Sequence, residues 1–232
     1  MLVVSNIDLT INSRVMKPTT FLASKIKEPT LNINNDYRYL KTGYYVSLHA
    51  EVLGSKVVPS CEDIIDTSRT PILLLRAARA GIPTLPSVVT DSVKRITTQL
   101  GFPVVVFAVN PFIHDGYKIA NNRTALYRAV KSLGMNYKFA VCAQPLRGEL
   151  GTIKAFFGKT DETQDEQTMQ IAEKAYRLFK IPLCKLHVQK TPERTYLCAL
   201  QPLERNELSP SDLGRISREV SLVSEQDEIF SD

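Results

Sequence analysis

Apolar and polar residues in the first part of the chain follow the period of a strand, then of a helix, then of a second strand. Thr30 to Asn34 alternates with the period of two that is typical of a strand. Apolar and aromatic residues then recur at helical spacing between Thr42, which we expect to cap a helix, and Gly54, which suits the position just beyond its end. Residues 56–59 predict the next strand. This order is typical of an α/β layer with parallel strands.

The rest of the chain predicts a longer mixture of helices and strands. Its strongest strand signal is the β-branched run at residues 103–109, and a hairpin is predicted around the turn at residues 191–194. The other predicted elements are a helix from Ser68 that ends at Gly81, an extended segment at 82–86, helices at 91–100, 121–133, 165–180 and 211–224, and strands at 138–146, 152–157, 183–189 and 195–200. We expect a small α/β unit over residues 1–66 and an α+β domain over residues 67–232.

The composition indicates a globular protein with a buried core. The chain has 232 residues, of which 44% are hydrophobic. No apolar run reaches the ~18 residues that span a bilayer, and the first ten residues contain no basic segment, so we expect a cytoplasmic protein. Its four cysteines are widely spaced and form no CxxC pair, which argues against a zinc site or a disulfide.

The chain is basic, with 29 Lys and Arg against 24 Asp and Glu and a formal net charge of +5. The cations are scattered among the acids along the sequence, which is typical of a solvated surface. We therefore expect neither a nucleic acid nor a membrane as partner. Four tyrosines and two cations interleave over residues 37–45, which fits either a stacking surface or tyrosines that pack the first unit onto the second. We favour packing.

One segment carries a specific resemblance to a known family. Residues 36–48 read DYRYLKTGYYVSL, followed by Ala50-Glu51 and by Gly54. This phrase resembles the N-terminal domain attached to RimK-like ATP-grasp proteins. More faintly, successive parts of the chain are similar to successive elements of the ATP-grasp domain itself: residues 76–86, 101–106, 139–146, 165–187 and 195–203.

The resemblance implies a two-lobed, ATP-grasp-like domain over residues 67–232, with residues 139–157 and 183–200 in an antiparallel sheet. It also implies an ATP-dependent reaction, in which a carboxylate is phosphorylated and an amine attacks the acyl-phosphate. In such chemistry lysines hold the phosphates and carboxylates hold Mg²⁺, because the charge that develops during phosphoryl transfer must be stabilised.

The chain departs from the family at the positions that need charge. Phe107 stands where the family's strand ends in a phosphate-binding lysine, and the loop at 110–118 has a single glycine where a phosphate loop is rich in small residues. The metal-binding positions fall on or near His187, Ala199 and Gln201, and neither alanine nor glutamine offers the anionic oxygens that Mg²⁺ prefers. We therefore expect no catalytic residues, no metal and no cofactor.

The former nucleotide cleft is expected to be surrounded by Phe107, Ala199 and Gln201 and partly filled by Phe112 or Tyr117. The resemblance also assigns binding residues to this vestigial cleft: Arg69, Lys118, Gln144, Arg147 and Lys154. Among them, Lys154 stands where the family's substrate-binding arginine would lie. Its ammonium is a point charge, whereas an arginine guanidinium can form two parallel hydrogen bonds.

Three functions stay open at this point. We favour a non-catalytic relative of ATP-dependent carboxylate–amine ligases, which binds or regulates an active ligase or another peptide-forming enzyme. The second function is a working ligase that uses ATP and Mg²⁺ through displaced groups, namely Arg69, Lys118, Lys154, Asp115 and Glu149. The third is a basic module that binds RNA or another polyanion.

Overall fold

The first unit of the protein is a parallel sheet with the strand order β2-β1-β3-β4. The computed structural model describes residues 1–110, 113 and 116–226, with side chains through residue 224. The elements of the unit are β1 (Leu2–Ser5), β2 (Val15–Met16), α1 (Pro18–Leu22), β3 (Thr30–Ile33), α2 (Thr42–Val52) and β4 (Val57–Val58). The predicted α/β layer with parallel strands is confirmed. Strand β1 was not predicted, because its four residues are all buried and show no alternation.

Helix α2 begins differently from the prediction. Thr42 is its first helical residue, and the cap position belongs to Lys41, whose side chain makes no capping hydrogen bond. Gly43 lies in the first turn, where a Cβ atom would collide with the carbonyl of Asp36. Glycine therefore lets the helix approach the preceding turn closely. Gly54 follows the helix with a positive φ of 74°, as predicted.

Two helices, α3 (Cys61–Ser68) and α4 (Thr70–Arg79), connect this unit to the rest of the chain. The Ser60 side chain caps α3 by accepting a hydrogen bond from the Asp63 N–H. The domain boundary placed between residues 66 and 67 falls inside α3, and it stays a prediction. Past α4, the extended segment at 82–86 makes a parallel bridge from Thr84 to Leu197.

Residues 88–145 form the first lobe, an antiparallel sheet with the order β5-β8-β6-β7. Its strands are β5 (Val88–Thr90), β6 (Val104–Ala108), β7 (Tyr117–Ala120) and β8 (Val141–Pro145), and its helices are α5 (Val93–Leu100) and α6 (Arg123–Leu133). The apolar faces of both helices pack in one cluster with alternate residues of the sheet. The opposite face of the sheet is turned toward the second lobe.

Residues 149–226 form the second lobe, an antiparallel sheet with the order β11-β10-β9. Its elements are β9 (Glu149–Phe156), α7 (Glu166–Phe179), β10 (Leu183–Lys190), β11 (Thr195–Gln201), a short 3-10 helix (Arg205–Glu207) and α8 (Pro210–Gln226). The predicted β10–β11 hairpin is confirmed. No described helix combines the length and the apolar composition needed to cross a membrane.

The expectation of a single antiparallel sheet across residues 139–157 and 183–200 is wrong. Strand β8 pairs with β5 and β6, whereas β9 pairs with β10, so consecutive strands belong to different sheets. The chain crosses between lobes at residues 146–148, where Gly148 lies so close to the Lys190 carbonyl that a Cβ atom would not fit. Neighbouring strands in sequence usually pair, but here the crossing separates them.

One hydrophobic cluster joins the first unit to the second lobe. Val3 and Ile33 of the first sheet are buried in the same cluster as Phe156 and Leu183 of the second lobe. Tyr37 belongs to this cluster as well, and its hydroxyl donates a hydrogen bond to the Asn32 carbonyl. This tyrosine therefore packs the first unit onto the larger one, as favoured from the sequence.

Candidate functional site

A small cavity lies where the two lobes meet the first unit. Its volume is about 80 Å³, well below the roughly 300–1,000 Å³ of typical small-molecule pockets. Its lining includes the three residues predicted to surround the cleft, Phe107, Ala199 and Gln201, together with Arg38, Lys185 and Glu204. The three residues therefore line one cavity, and its identity as the former nucleotide cleft stays a prediction.

Three aromatic rings fill the space beside this cavity. Phe107 is only 1% exposed, and the centroid of its ring lies 5.7 Å from that of Tyr117 and 6.2 Å from that of His187. The Tyr117 and His187 rings are 5.2 Å apart in an edge arrangement. These are the distances of packed aromatic pairs. Tyr117 therefore packs beside the cavity, and its place in a former nucleotide cleft stays a prediction, while Phe112 lies outside the described residues.

The imidazole of His187 is a buried, neutral group. Burial lowers its pKa below the ordinary value, and the neighbouring Gln201 side chain opposes that shift only in part. Its Nδ1 lies 3.0 Å from the Thr152 hydroxyl, whereas its Nε2 has no hydrogen-bond partner of good geometry among the described residues. His187 therefore serves packing in this position and carries no charge at neutral pH.

An apolar layer, which we call the interlobe layer, separates the two sheets. It consists of Leu74, Val105, Phe107, Cys142, Cys198 and Ala199. The period of a strand turns alternate residues of β6 and β8 toward this layer. A β-bulge in the β10–β11 pairing brings two consecutive residues, Cys198 and Ala199, into the same layer. Burial raises the pKa of Cys142 and Cys198 to about 12, so both thiols stay neutral.

Hydrogen bonds between the lobes accompany this layer. The Gln144 side chain donates to the Cys198 carbonyl over 2.9 Å, and the Gln189 side chain donates to the Pro145 carbonyl over 3.1 Å. The backbone N–H of Arg147 donates to the Gln189 carboxamide oxygen over 2.9 Å. Gln144, one of the predicted cleft residues, therefore holds the two lobes together and does not line the cavity.

Two cations line the cavity, and both have carboxylate partners. The Arg38 guanidinium lies 2.5 Å from Asp36 and 3.8 Å from Glu204, and the Lys185 ammonium lies 2.9 Å from both carboxylate oxygens of Glu207. Burial opposes ionisation of Glu207, but Lys185 keeps the pKa of that carboxyl below its ordinary value. Lys185 was not predicted as a site residue, because its only local signal is a charge within an apolar strand.

The other predicted cleft residues lie apart from one another. Arg69 is exposed at the junction of α3 and α4, and Arg147 is exposed in the segment between β8 and β9. Lys118 lies on β7, where it pairs with Val106 of β6. The Lys154 ammonium donates to the Glu207 carbonyl over 2.5 Å and to the Asp212 carboxylate over 2.8 Å, so it ties β9 to α8. None of these four cations lines the cavity.

The described residues around the cavity do not fit ATP with Mg²⁺. Mg²⁺ prefers carboxylate oxygens, whereas the positions expected to hold it carry Ala199, Gln201 and the neutral His187. Within the described part of the chain, no three His, Cys, Asp or Glu side chains come together closely enough to hold a metal ion. Asp115, a stand-in considered for the working ligase, lies outside the described residues.

Comparison with known structures identifies the fold. A RimK domain ATP-grasp protein from Sphaerobacter thermophilus DSM 20745 is 13% identical, with a TM-score of 0.67 over 94% of this chain and 98% of that chain. D-alanine–D-alanine ligase from Bacillus anthracis is 15% identical, with a TM-score of 0.63 over 98% of each chain. The ATP-grasp ligase PsnB, solved with a precursor variant, Mg and ADP, is 15% identical, with a TM-score of 0.54 over 76% of this chain and 64% of that chain. The chain therefore has the mixed α/β fold of ATP-grasp proteins.

The family follows from the sequence itself. No curated protein matches the chain. The family described as RimK-like ATPgrasp N-terminal domain matches residues 19–218, which include the phrase at 36–54, the first lobe and most of the second lobe. Because the match covers most of the chain, the protein belongs to the RimK-like ATPgrasp N-terminal domain family.

Proposed function

We propose that the chain is a non-catalytic relative of the ATP-dependent carboxylate–amine ligases and that it binds or regulates an active ligase or another peptide-forming enzyme. The observation that carries the proposal is the interlobe layer. Solved ligases of this fold include one with ATP and one with Mg and ADP, so the fold is able to hold a nucleotide. Two residues of that layer, Phe107 and Ala199, are apolar where the resemblance implies a phosphate-binding lysine and a metal-binding carboxylate.

The charges near the cavity support the same conclusion. Arg38 and Lys185 already pair with carboxylates, so a triphosphate would have to compete with Asp36 and Glu207 for them. Without a metal, most of the charge of the triphosphate would stay uncompensated. The cavity of about 80 Å³ also leaves no room for a nucleotide unless the lobes separate.

A partner in ligation is the second half of the proposal. The chain keeps the ATP-grasp fold over nearly its whole length, which preserves the shape of the family without its charged groups. The inference that the partner is a related enzyme follows from this shared fold alone. An ATP-dependent partner would work in the cytoplasm, so we place this chain there as well.

Thermal unfolding with Mg-ATP tests the loss of nucleotide binding. A ligand at about 100 times its Kd stabilises a protein by about 2.7 kcal/mol. For a chain of this size, that corresponds to a rise in Tm of about 5–11 °C. We expect no shift with Mg-ATP and no release of ADP. A clear shift that Lys185→Ala abolishes, while the matched control Lys174→Ala keeps it, would overturn the proposal.

A direct assay tests the partner. The chain is added to a RimK-like ligase from the same organism, and the rate of ADP formation is measured with and without it. A saturable change in the rate, together with a complex in size-exclusion chromatography, is the expected result. No complex and no change in rate at saturating chain would contradict a regulatory role.

The working ligase remains the second candidate, because the solved structures of this fold are ligases and two cations line the cavity. It would have to use Arg38 and Lys185 in place of Arg69, Lys118 and Lys154. The Mg-ATP experiment above separates the two candidates.

A further inference from the structure

The positive charge of the chain is concentrated in the first lobe. Residues 88–145 contain seven Lys or Arg residues and two acidic residues, Asp91 and Asp115. Their formal charge of +5 equals that of the whole chain, so the charges of the remaining residues cancel. The first lobe is therefore a basic body attached to a neutral one.

Helices α5 and α6 carry five of these cations and no acidic residue. Their apolar sides pack together on one side of the sheet, which leaves their other sides to the solvent. The exposed cations, which together we call the basic face, are Lys94 and Arg95 on α5 and Arg123, Arg128 and Lys131 on α6. The basic face lies on the opposite side of the sheet from the interlobe layer.

The cations of the basic face have no carboxylate partner among the described residues. Their side chains form neither an ion pair nor a hydrogen bond in that part of the chain. Cations elsewhere in the chain are commonly paired, such as Arg76 with Asp63 and Asp66, and Lys159 with Glu219. A cluster of unpaired like charges attracts anions, because each cation adds to the potential over the same surface.

An exposed aromatic ring lies among the α6 cations of the basic face. Tyr127 is 53% exposed. It lies one helical turn after Arg123 and one turn before Lys131. These three residues and Arg128 line a shallow groove. Its ring packs edge-on against Tyr137, with the centroids 6.0 Å apart. That contact holds the ring in place while more than half of the side chain remains accessible. A fixed ring among cations is a stacking platform for an unpaired base.

We propose that the basic face binds single-stranded nucleic acid, with the phosphates along α5 and α6 and a base stacked on Tyr127. A nucleobase has an aromatic face that stacks on the ring, whereas a carboxylate has none, so the ring favours a nucleic acid over an acidic peptide. The inference is independent of the proposed function. It departs from the sequence-based expectation of no nucleic-acid partner, because that expectation rested on the scatter of cations along the sequence.

Fluorescence anisotropy with labelled oligo(dT) and oligo(U) of about 16 nucleotides tests the proposal and distinguishes DNA from RNA. Five phosphate contacts give a salt slope of about −3.5 for a single strand, so affinity should fall about 100-fold between 50 and 200 mM salt. The double substitution Arg123→Glu with Arg128→Glu should abolish binding. The matched control, Arg79→Glu with Lys174→Glu, changes the net charge by the same amount at exposed positions outside the basic face. It should keep most of the binding affinity.

The stacking contact has its own test. Tyr127→Ala should weaken binding about 5-fold or more, and Tyr127→Phe should bind as the wild type does. Because Tyr127 is exposed, circular dichroism should show both variants folded. Wild-type affinity in Tyr127→Ala, or equally tight binding of a poly-glutamate peptide, would overturn the proposal in favour of an acidic protein. Equal losses in the control pair and in the Arg123/Arg128 pair would reduce it to attraction by net charge and also overturn it.

Discussion

Replacing Phe107 with alanine tests whether the interlobe layer is packed. Phe107 is 1% exposed, and its ring contacts Tyr117 and His187. Truncating a fully buried phenylalanine costs about 3–5 kcal/mol, because the lost burial is joined by the cost of the cavity left behind. A chain of this size loses about 2–4 °C per kcal/mol, so Tm should fall by about 6–20 °C.

Phe139→Ala is the matched control, because it removes the same atoms from a side chain that is 45% exposed. We expect it to cost less than about 1 kcal/mol. Urea unfolding followed by circular dichroism measures both variants, and a change in midpoint without a change in slope reports stability. Equal costs for the two variants would refute the reasoning: the Phe107 ring would then be unpacked, and the cleft would be open to a nucleotide.

Two further substitutions follow from the titratable groups. Asp212→Asn should cost about 1–3 kcal/mol at neutral pH, because the Asp212 carboxylate lies 2.8 Å from the Lys154 ammonium in a partly buried pair. Burial opposes ionisation of Asp212, but its contact with Lys154 and other hydrogen bonds hold its pKa below the ordinary value. This stability is therefore present above about pH 4 and is lost in stronger acid. The difference in the free energy of unfolding between the wild type and the variant, measured in urea, should therefore disappear in strong acid. Lys17→Met, which breaks an exposed pair with Asp8, should leave the urea midpoint nearly unchanged, and a loss equal to that of Asp212→Asn would contradict the role of burial. Because burial lowers the pKa of His187, the folded state binds fewer protons than the unfolded state, and stability should fall as the pH drops below about 6.5. His187→Gln should flatten this dependence between pH 7.5 and pH 5, and an unchanged profile would assign it to another group.

Much of the local structure could be predicted from the sequence, because it depends on neighbours within a few residues. The β-branched run became β6, and the apolar spacing of residues 165–180 became α7, capped by the Asp165 side chain. The prediction failed for β1, β5 and β7, which have four residues or fewer and no clear alternation of their own. Strands β5 and β7 exist because the longer strands β8 and β6 pair with them, and β1 exists because strands pair with it on both sides.

The sequence by itself determined the family and brought three predicted residues together at one cavity. The phrase at residues 36–54 is local, and the order of elements placed Phe107, Ala199 and Gln201 on one cavity. It did not determine which cations meet there. The residues predicted to bind in the cleft lie apart from one another, and Lys154 pairs with Asp212. The reason is that the direction in which a side chain points depends on the sheet to which its strand belongs.

Only the tertiary structure decided how distant residues meet. The interlobe layer joins β6 to β11, which lie about a hundred positions apart, and no local period carries that pairing. The basic face arises in the same way. Its cations are spread over residues 94–131, and they share one surface because α5 and α6 bury their apolar sides against the same side of one sheet. The sequence contains these charges, but burial of the apolar sides determines where they point.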